Sequence, residues 1–302
     1  MGFGEDKGAA NTMRIVITAS AGLIKQSFWI LCCLAFCICS TVASAQDKDA
    51  GPREQPIQEV FQGGLVYPQE HGEVQLSFSS RFSKARDHSS LENPFSIEYG
   101  ITDRWQIELE WNALSRRAET GEATTRGKGD FSIGTKYSLM NLRGSNFHTA
   151  VGFEISFPSG SVEKQLSDGF IEYSPYVIVA KDFPRLHHLQ LFTQAGVGFV
   201  QRWRRSVSGT GEEPAAHKFD LGLGMFVPFR VVVFTNEFNL STNRWNNGGR
   251  QREAFATPGI VGRLPRGWQL GVGVPLGLTR DSNRFGTVVT LVYEFKLLGG
   301  SR

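Results

Sequence analysis

Apolar and polar residues alternate along the segment 95–111, which reads FSIEYGITDRWQIELEW. One face is apolar on both sides of a short turn at 102–104, and it carries Phe95, Ile97, Tyr99, Ile101, Trp105, Ile107, Leu109 and Trp111. A period of two indicates β-strands that have one apolar and one polar side. The segment therefore predicts a β-hairpin, and the same unit recurs toward the C-terminus.

Together with the turn residues, this alternation predicts twelve strands. They are expected at 72–82, 93–101, 105–114, 129–141, 147–157, 170–181, 188–203, 217–227, 231–241, 252–263, 267–278 and 285–296. Their connections alternate between long ones, such as 83–92 and 242–251, and short ones, such as 228–230. Bacterial outer-membrane barrels have long external loops and short periplasmic turns. The predicted fold is therefore all-β, a single transmembrane antiparallel up-and-down β-barrel of about twelve strands.

Aromatic residues near the predicted strand ends favour a lipid-facing outer surface. Girdles of aromatic residues at both interfaces are typical of transmembrane barrels. The tryptophans expected in such a girdle are Trp105, Trp111, Trp203 and Trp268. Lipid and lipopolysaccharide of an outer membrane are then the predicted surroundings of the barrel.

The composition alone resembles that of a soluble protein. Hydrophobic residues make up 40% of the chain, and the mean hydropathy is −0.20. A membrane barrel is compatible with these values, because half of the residues in each of its strands face the lumen. The net charge of +3 comes without a concentrated basic patch, so nucleic acid is not an expected partner.

An apolar run at 27–43 is followed by Ala43-Ser44-Ala45, the small-x-small pattern of a signal-peptidase site. We predict a cleaved signal peptide at 1–45, a periplasmic lead-in or small plug at 46–70, and the barrel at 71–302. Met13 is an alternative start, and a permanent anchor helix is the alternative to cleavage. All four cysteines lie within the run, so the mature chain would contain none.

Glycine and proline modify the strand pattern. Several glycines fall on the predicted lumen face, where small residues let the walls approach or the sheet curve: Gly196, Gly198, Gly222, Gly224, Gly271 and Gly273. Pro175, Pro258 and Pro275 lie within predicted strands, and each removes one ladder hydrogen bond. They predict bulges or strand ends, with a kink that opens sideways into lipid as the alternative.

Carboxylates outnumber basic residues on the predicted inward face. The register of the first hairpin places Glu98 opposite Glu108, and two facing carboxylates need a cation, a proton or water. Lys136 on the next strand is the candidate counter-ion. The lumen residues singled out for a constriction are Glu98, Glu108, Glu110, Lys136, Glu154 and Asp220. They predict either a salt-bridged structural lumen or a constriction that favours cations.

Arginines cluster in two predicted external loops, where they would suit the phosphates of lipopolysaccharide. These residues are Arg116, Arg117 and Arg126 in one loop, with Arg202, Arg204 and Arg205 at the other.

An enzyme in the outer membrane is an alternative to a channel. His148 is the one histidine in the middle of a predicted strand on the inward phase, and neither Gly-x-Ser-x-Gly nor His-Glu-x-x-His occurs. We therefore predict no catalytic residue, cofactor or metal site. A structural barrel whose lumen is blocked by 46–70 is the other alternative.

The segment GDFSIGTKYSLMNL at 129–142, the turn GITDRW at 100–105 and the closing strand 287–295 resemble a bacterial family. That family comprises outer-membrane proteins linked to the meta-cleavage pathway of phenol degradation, often called transporters. The resemblance extends from about Phe61 onward and implies passage of small, often hydrophobic compounds. Barrels of this kind end on an aromatic residue that the assembly machinery reads, whereas here Phe295 is followed by seven residues.

Overall fold

The computed structural model describes residue 57 and residues 60–121, 123–167, 169–202, 214–245 and 250–297. The predicted signal peptide at 1–45 and the predicted girdle residue Trp203 lie outside these ranges. Within them, the chain forms no helix that combines the length and the apolar character needed to cross a membrane.

Strands dominate the described chain. They are β1 (Glu73–Lys84), β2 (His88–Thr102), β3 (Trp105–Glu119), β4 (Thr125–Gly127), β5 (Phe131–Leu139), β6 (Phe147–Phe157), β7 (Phe170–Phe183), β8 (Leu189–Arg202), β9 (Pro214–Pro228), β10 (Val232–Trp245), β11 (Arg250–Arg263), β12 (Trp268–Gly273), β13 (Leu276–Gly277) and β14 (Phe285–Lys296). One 3-10 turn, Leu142–Gly144, lies between β5 and β6.

Neighbouring strands pair antiparallel all the way round, and β1 pairs with β14 to close the sheet. Strand β4 is an addition to a loop, where it pairs with β3. Strands β12 and β13 occupy one position in the wall, because both pair with β11 on one side and β14 on the other. The wall therefore has the predicted twelve strands, and its closure leaves no free sheet edge.

The strands extend further into the predicted long loops than the hydrophobic pattern indicated. Strand β2 begins at His88 and not at 93, and β10 ends at Trp245 and not at 241. The predicted long connection 83–92 is reduced to 85–87. In this region polar residues occupy most positions on both faces of the sheet, as in the cross-strand hydrogen bond between Ser83 Oγ and Ser90 Oγ, 2.7 Å. Backbone pairing continues there, but the alternation that predicts strands is lost.

The outer surface of the wall is apolar. The side chain of Phe78 is 45% exposed and that of Leu223 is 47% exposed, whereas the alternating inward residues Gln75 and Gln190 are 0% exposed. Apolar residues on the outside and polar residues inside are typical of a barrel that faces lipid. The alternation thus confirms the transmembrane barrel.

The predicted proline irregularities are present at two of the three sites. Pro275 and its neighbour Val274 separate β12 from β13, and the β7–β8 pairing skips the region of Pro175. Pro258 stays within β11, opposite Asn236. The Val274 N–H donates to the Pro258 carbonyl across the break, 3.0 Å, so the wall stays bonded there.

The two ends of the barrel differ. At the end that we call the terminal rim, β1 begins and β14 finishes, and the chain turns at 103–104, 184–188 and 264–267. The opposite end is the loop rim, which bears β4 and residues 158–167. Residues 60–70 precede β1, and we call them the lumen segment because their side chains contact the inner wall.

Candidate functional site in the lumen

The lumen segment is buried inside the barrel although it forms no regular secondary structure. Phe61 is 3% exposed, Leu65 is 4% exposed and Val66 is 0% exposed, and Ile57 before the segment is also fully buried. Such burial leaves backbone N–H groups away from water, so each of them needs a partner.

The side chain of Glu237 on β10 supplies partners for three consecutive N–H groups. The N–H of Phe61 donates to Glu237 Oε1 at 2.7 Å, and those of Gln62 and Gly63 donate to Oε2 at 2.9 Å. Successive N–H groups that converge on one anion form a nest, in which backbone dipoles stabilise the carboxylate. Glu237 therefore fixes the beginning of the lumen segment to the wall.

Further hydrogen bonds hold the middle of the lumen segment. The N–H of Gly64 donates to Gln194 Oε1 at 2.6 Å, and Lys136 Nζ donates to the carbonyl of Leu65 at 2.8 Å. The phenolic oxygen of Tyr67 accepts a hydrogen bond from Gln190 Nε2, 2.7 Å. Lys136, which was predicted to be a counter-ion, thus binds the main chain of the lumen segment.

The end of the lumen segment is anchored by a network of amides around Glu98. The N–H of Gln69 donates to Gln106 Oε1 at 2.9 Å, and its side-chain amide donates to Gln75 Oε1 at 2.7 Å. Gln75 and Gln69 also donate to the carboxylate of Glu98, at 3.1 and 3.3 Å. Gln106 Nε2 donates to the same carboxylate. Neutral amide donors therefore surround the charge of Glu98.

The register between β2 and β3 places Glu98 opposite Glu108, as the sequence predicted. Only Glu98 is nearly buried, at 8% exposure, while Glu108 is half-buried on the wall of the open lumen. The two carboxylates consequently have different surroundings, although they face each other across the ladder.

An apolar core occupies part of the terminal-rim half of the lumen, beside the buried amide network around Glu98. Inward side chains of the wall pack against the lumen segment there, and they are Ala150, Ile178, Ala180, Phe192, Phe226, Val233, Val261 and Val288. Sequence reasoning missed this core because the partners of these residues precede the first strand and follow no period.

The loop-rim half contains a cavity of about 710 Å³. All six predicted lumen residues line it together: Glu98, Glu108, Glu110, Lys136, Glu154 and Asp220. In total its lining includes seven carboxylates and three cationic side chains, so it carries net negative charge. Lys218 partly offsets this charge, with Nζ at 3.7 Å from Glu172 Oε1 and 3.9 Å from Asp220 Oδ2.

A second cavity of about 430 Å³ lies toward the loop rim. It shares three lining residues with the first cavity, namely Glu110, Glu154 and Ser156. The two spaces therefore meet at these side chains. The lumen segment, whose residues 60–65 line the first cavity, forms the floor of the combined space.

His148, the best candidate for catalysis, is part of the wall. Its Nδ1 accepts the N–H of Asn141 at 2.9 Å, and its Nε2 lies 3.0 Å from Asp182 Oδ2. The side chain is 0% exposed. A catalytic base needs a lone pair directed at a nucleophile or substrate, and here the wall occupies both ring nitrogens.

Among the described residues, no group of three His, Cys, Asp or Glu side chains could hold a metal ion.

Three of the four predicted girdle tryptophans are described, and all three are exposed on the outer surface. Trp105 and Trp268 lie at the terminal rim, where Trp268 stacks on Tyr293 with ring centroids 4.5 Å apart. Trp111 was expected near the end of its strand, but β3 continues eight residues beyond it to Glu119. The ring of Trp111 has Lys128 Nζ above it, 5.4 Å from the centroid.

Comparison with known proteins agrees with this architecture. A family model described as "Putative MetA-pathway of phenol degradation" matches residues 81–295. The match begins later than the start near Phe61 that the resemblance implied, and the lumen segment precedes it. A search among curated proteins gave no match.

Three solved structures are similar to the chain. An outer membrane channel from Pseudomonas putida F1 is 13% identical, covers 78% of this chain and 100% of its own, and superposes with a TM-score of 0.64. The β domain of the Bordetella autotransporter BrkA is 14% identical over 75% of this chain and 100% of its own, with a TM-score of 0.48. The KdgM porin is 12% identical over 72% of this chain and 99% of its own, with a TM-score of 0.44. The first likeness supports the fold.

Proposed function

The chain belongs to the family described as "Putative MetA-pathway of phenol degradation", and from this premise we propose that it is an outer-membrane channel for small molecules, closed by its own lumen segment. The observation that carries this proposal is the cavity that extends from the loop rim to the lumen segment. Its polar lining suits the passage of solutes, whereas a barrel with a purely structural role has no need of an interior space.

The proposed cargo is a small molecule, including the aromatic compounds that the family description suggests. The excess of carboxylates over cations in the cavity favours cations and hydrogen-bond donors over anions. Glu110 and Glu154 are the proposed selecting residues, because they lie where the two cavities meet. Glu98 is tied to the anchor of the lumen segment and contributes to closure.

We propose that residues 1–45 direct export and that the terminal rim faces the periplasm. The long strands and β4 then lie on the outer side. The aromatic ring of Phe295 on the last strand is the proposed signal for the barrel-assembly machinery. A Phe295→Ala variant should yield less assembled barrel in membranes than a Phe285→Ala variant; equal yields would contradict this role.

The outer face near the loop rim is the proposed contact for lipopolysaccharide. Arg116 and Arg126 face each other across β3 and β4, both are exposed, and neither makes an ion pair with another described residue. Like charges across a ladder are destabilising unless an anion lies between them. Arg117, predicted to act with them, instead pairs with Glu119, with Nε 2.8 Å from Oε1.

A lipid-binding measurement tests this contact. Lipopolysaccharide added to the protein in detergent should raise its unfolding temperature, and a double Arg116→Gln, Arg126→Gln variant should lose most of that increase. Phosphatidylcholine should have no such effect on either protein. The same increase in both proteins would refute the contact.

A structural barrel with a blocked lumen is the second candidate, and the filled terminal-rim half is the observation that favours it. Conductance in planar bilayers separates the two. A variant in which residues 57–67 become a Gly-Ser segment of equal length keeps Gln69 and its amide network. We expect low conductance from the natural chain and a much larger one from the variant. If a folded, heat-modifiable variant conducts no ions, the barrel is structural.

A further inference from the structure

The ring of Phe61 lies on three glycines of the wall. Gly259 on β11 and Gly273 at the end of β12 are directly opposite each other in the ladder, and Gly271 lies two residues before Gly273. All three belong to the inward phase of their strands. They leave a patch of bare backbone on two neighbouring strands.

The fit between the ring and this patch depends on glycine. An idealised Cβ at Gly259 would lie 2.1 Å from Phe61 Cε2, and one at Gly273 would lie 2.7 Å from Phe61 Cγ. At Gly271 the corresponding distance to Cε1 is 3.0 Å. Real Cβ atoms do not approach an aromatic ring as closely as at Gly259 and Gly273, so alanine at either position would push the ring off the wall, and alanine at Gly271 would require the ring to shift by a few tenths of an ångström. We call the recess formed by Gly259, Gly271 and Gly273 the glycine slot.

The glycine slot adjoins a hydrogen-bonding group and the open lumen. The N–H of the residue that fills it, Phe61, donates to Glu237 Oε1 at 2.7 Å. Phe61 also lines the 710 Å³ cavity, so the slot borders the space that solutes would enter from the loop rim. A planar recess, an adjacent carboxylate and access from the cavity are the elements of a site for an aromatic molecule with a hydrogen-bond donor.

We propose that the glycine slot is a binding site for the ring of a monoaromatic cargo, such as a phenol, and that Phe61 occupies it in the closed channel. This proposal rests on the proposed channel function and names its substrate class. Cargo and Phe61 exclude each other from the slot, because two rings cannot occupy the same patch of backbone. When Phe61 leaves, the carboxylate of Glu237 loses its N–H partners. It can then accept a hydrogen bond that the hydroxyl group of the cargo donates.

Binding of phenol to a Phe61→Ala variant tests the slot. The full chain in detergent is titrated with phenol and, for comparison, with cyclohexanol, which has the same number of ring atoms but is not planar. We expect the variant to bind phenol at least tenfold more tightly than the natural chain does, because a competing ring has been removed. Cyclohexanol should bind both proteins equally weakly.

A second substitution in the same background is the matched control. Adding Gly273→Ala to Phe61→Ala places a methyl group on the slot floor and should abolish the gain for phenol, while partition of phenol into the micelle is unchanged. A gain that persists in the double variant, or that is equal for cyclohexanol, would refute the slot. So would equal phenol affinity in the natural chain and Phe61→Ala.

Phe61→Leu replaces Phe61→Ala if the latter does not fold, because leucine keeps part of the buried volume while vacating the planar recess. The same expectations and the same refuting outcomes apply to it. These measurements detect binding and not flux. If the channel proposal is wrong, the protein will conduct no ions but will still bind phenol in the slot. If the slot proposal is wrong, the barrel will conduct ions but will bind phenol no better than cyclohexanol.

Discussion

The two halves of the lumen are enclosed by the same twelve strands but differ in what fills them: the lumen segment, with an apolar core and a buried amide network, fills one, and an acidic cavity occupies the other. In the terminal-rim half, inward valine, isoleucine and phenylalanine side chains pack against the lumen segment as in a soluble core. In the loop-rim half, inward positions carry mostly glutamate, serine and lysine around a cavity. The outer surface is apolar along the body of the wall, as is typical of a barrel that faces lipid. The inward face varies because it contacts a chain segment at one end and solvent at the other.

Glycines make this difference testable. A Cβ at Gly224, in the terminal-rim half, would lie 2.1 Å from Phe192 Cζ, whereas the nearest atoms to a Cβ at Gly134, in the loop-rim half, are 3.7 Å away. Overpacking costs about 1–3 kcal/mol where the neighbours cannot move. Gly224→Ala should therefore lower the temperature at which the folded band disappears in gel electrophoresis, and Gly134→Ala should leave it unchanged. Equal temperatures for the two variants would show that the halves are packed alike.

Glu237→Gln should weaken the attachment of the lumen segment without removing wall volume. Glutamine has one acceptor oxygen where glutamate has two, so part of the nest of three N–H groups loses its partner. Loss of a hydrogen bond to a charged group costs about 2 kcal/mol, which corresponds to roughly a thirtyfold increase in the open population. Single-channel recording should show that increase in open time.

The control for this variant is Glu253→Gln, which removes a carboxylate that lines the cavity and has no role in the nest. It should leave the open time near that of the natural chain. If both variants open equally often, lumen charge and not the nest holds the channel closed.

Ion selectivity tests whether the carboxylates at the junction of the two cavities matter more than those near the lumen segment. The double variant Glu110→Gln, Glu154→Gln removes two carboxylates from the junction of the cavities, and it should reduce the preference for potassium over chloride severalfold. Glu98→Gln with Glu108→Gln should have the smaller effect, because amides already surround Glu98. Reversal potentials in a potassium chloride gradient measure both. Selectivity that persists unchanged in both double variants would refute a carboxylate filter.

Local patterns were sufficient to predict the wall. Alternation fixed the strand number, and the short turn at 102–104 fixed the pairing of Glu98 with Glu108. The extensions of β2 and β10 could not be predicted, because polar residues occupy most positions on both faces there and the alternation is lost. Strand β4 was missed for a related reason, since three residues are too few to show a period.

The contents of the lumen could not be predicted from local patterns. Glu237 was recognisable as an inward carboxylate, yet its partners lie about 175 residues earlier in the chain. The lumen segment itself has no period, because its conformation is set by side chains of the wall and not by pairing with a neighbouring strand. The alternating Gly271 and Gly273 indicated a bare patch of wall, but only the position of Phe61 explains its shape.

The anchor at Gln69 sets the reach of the lumen segment. A Cβ at Gly100 would lie 1.9 Å from the Glu70 carbonyl oxygen, and the N–H of Leu297 donates to the carbonyl of Gly72 at 2.9 Å, so the chain is held tightly where it joins β1. From Phe61 to the anchor, eight extended residues span at most about 28 Å, close to the ~30 Å thickness of the hydrocarbon core. The reach of these residues is therefore sufficient for Phe61 to lie outside the terminal rim without unpairing any strand of the wall.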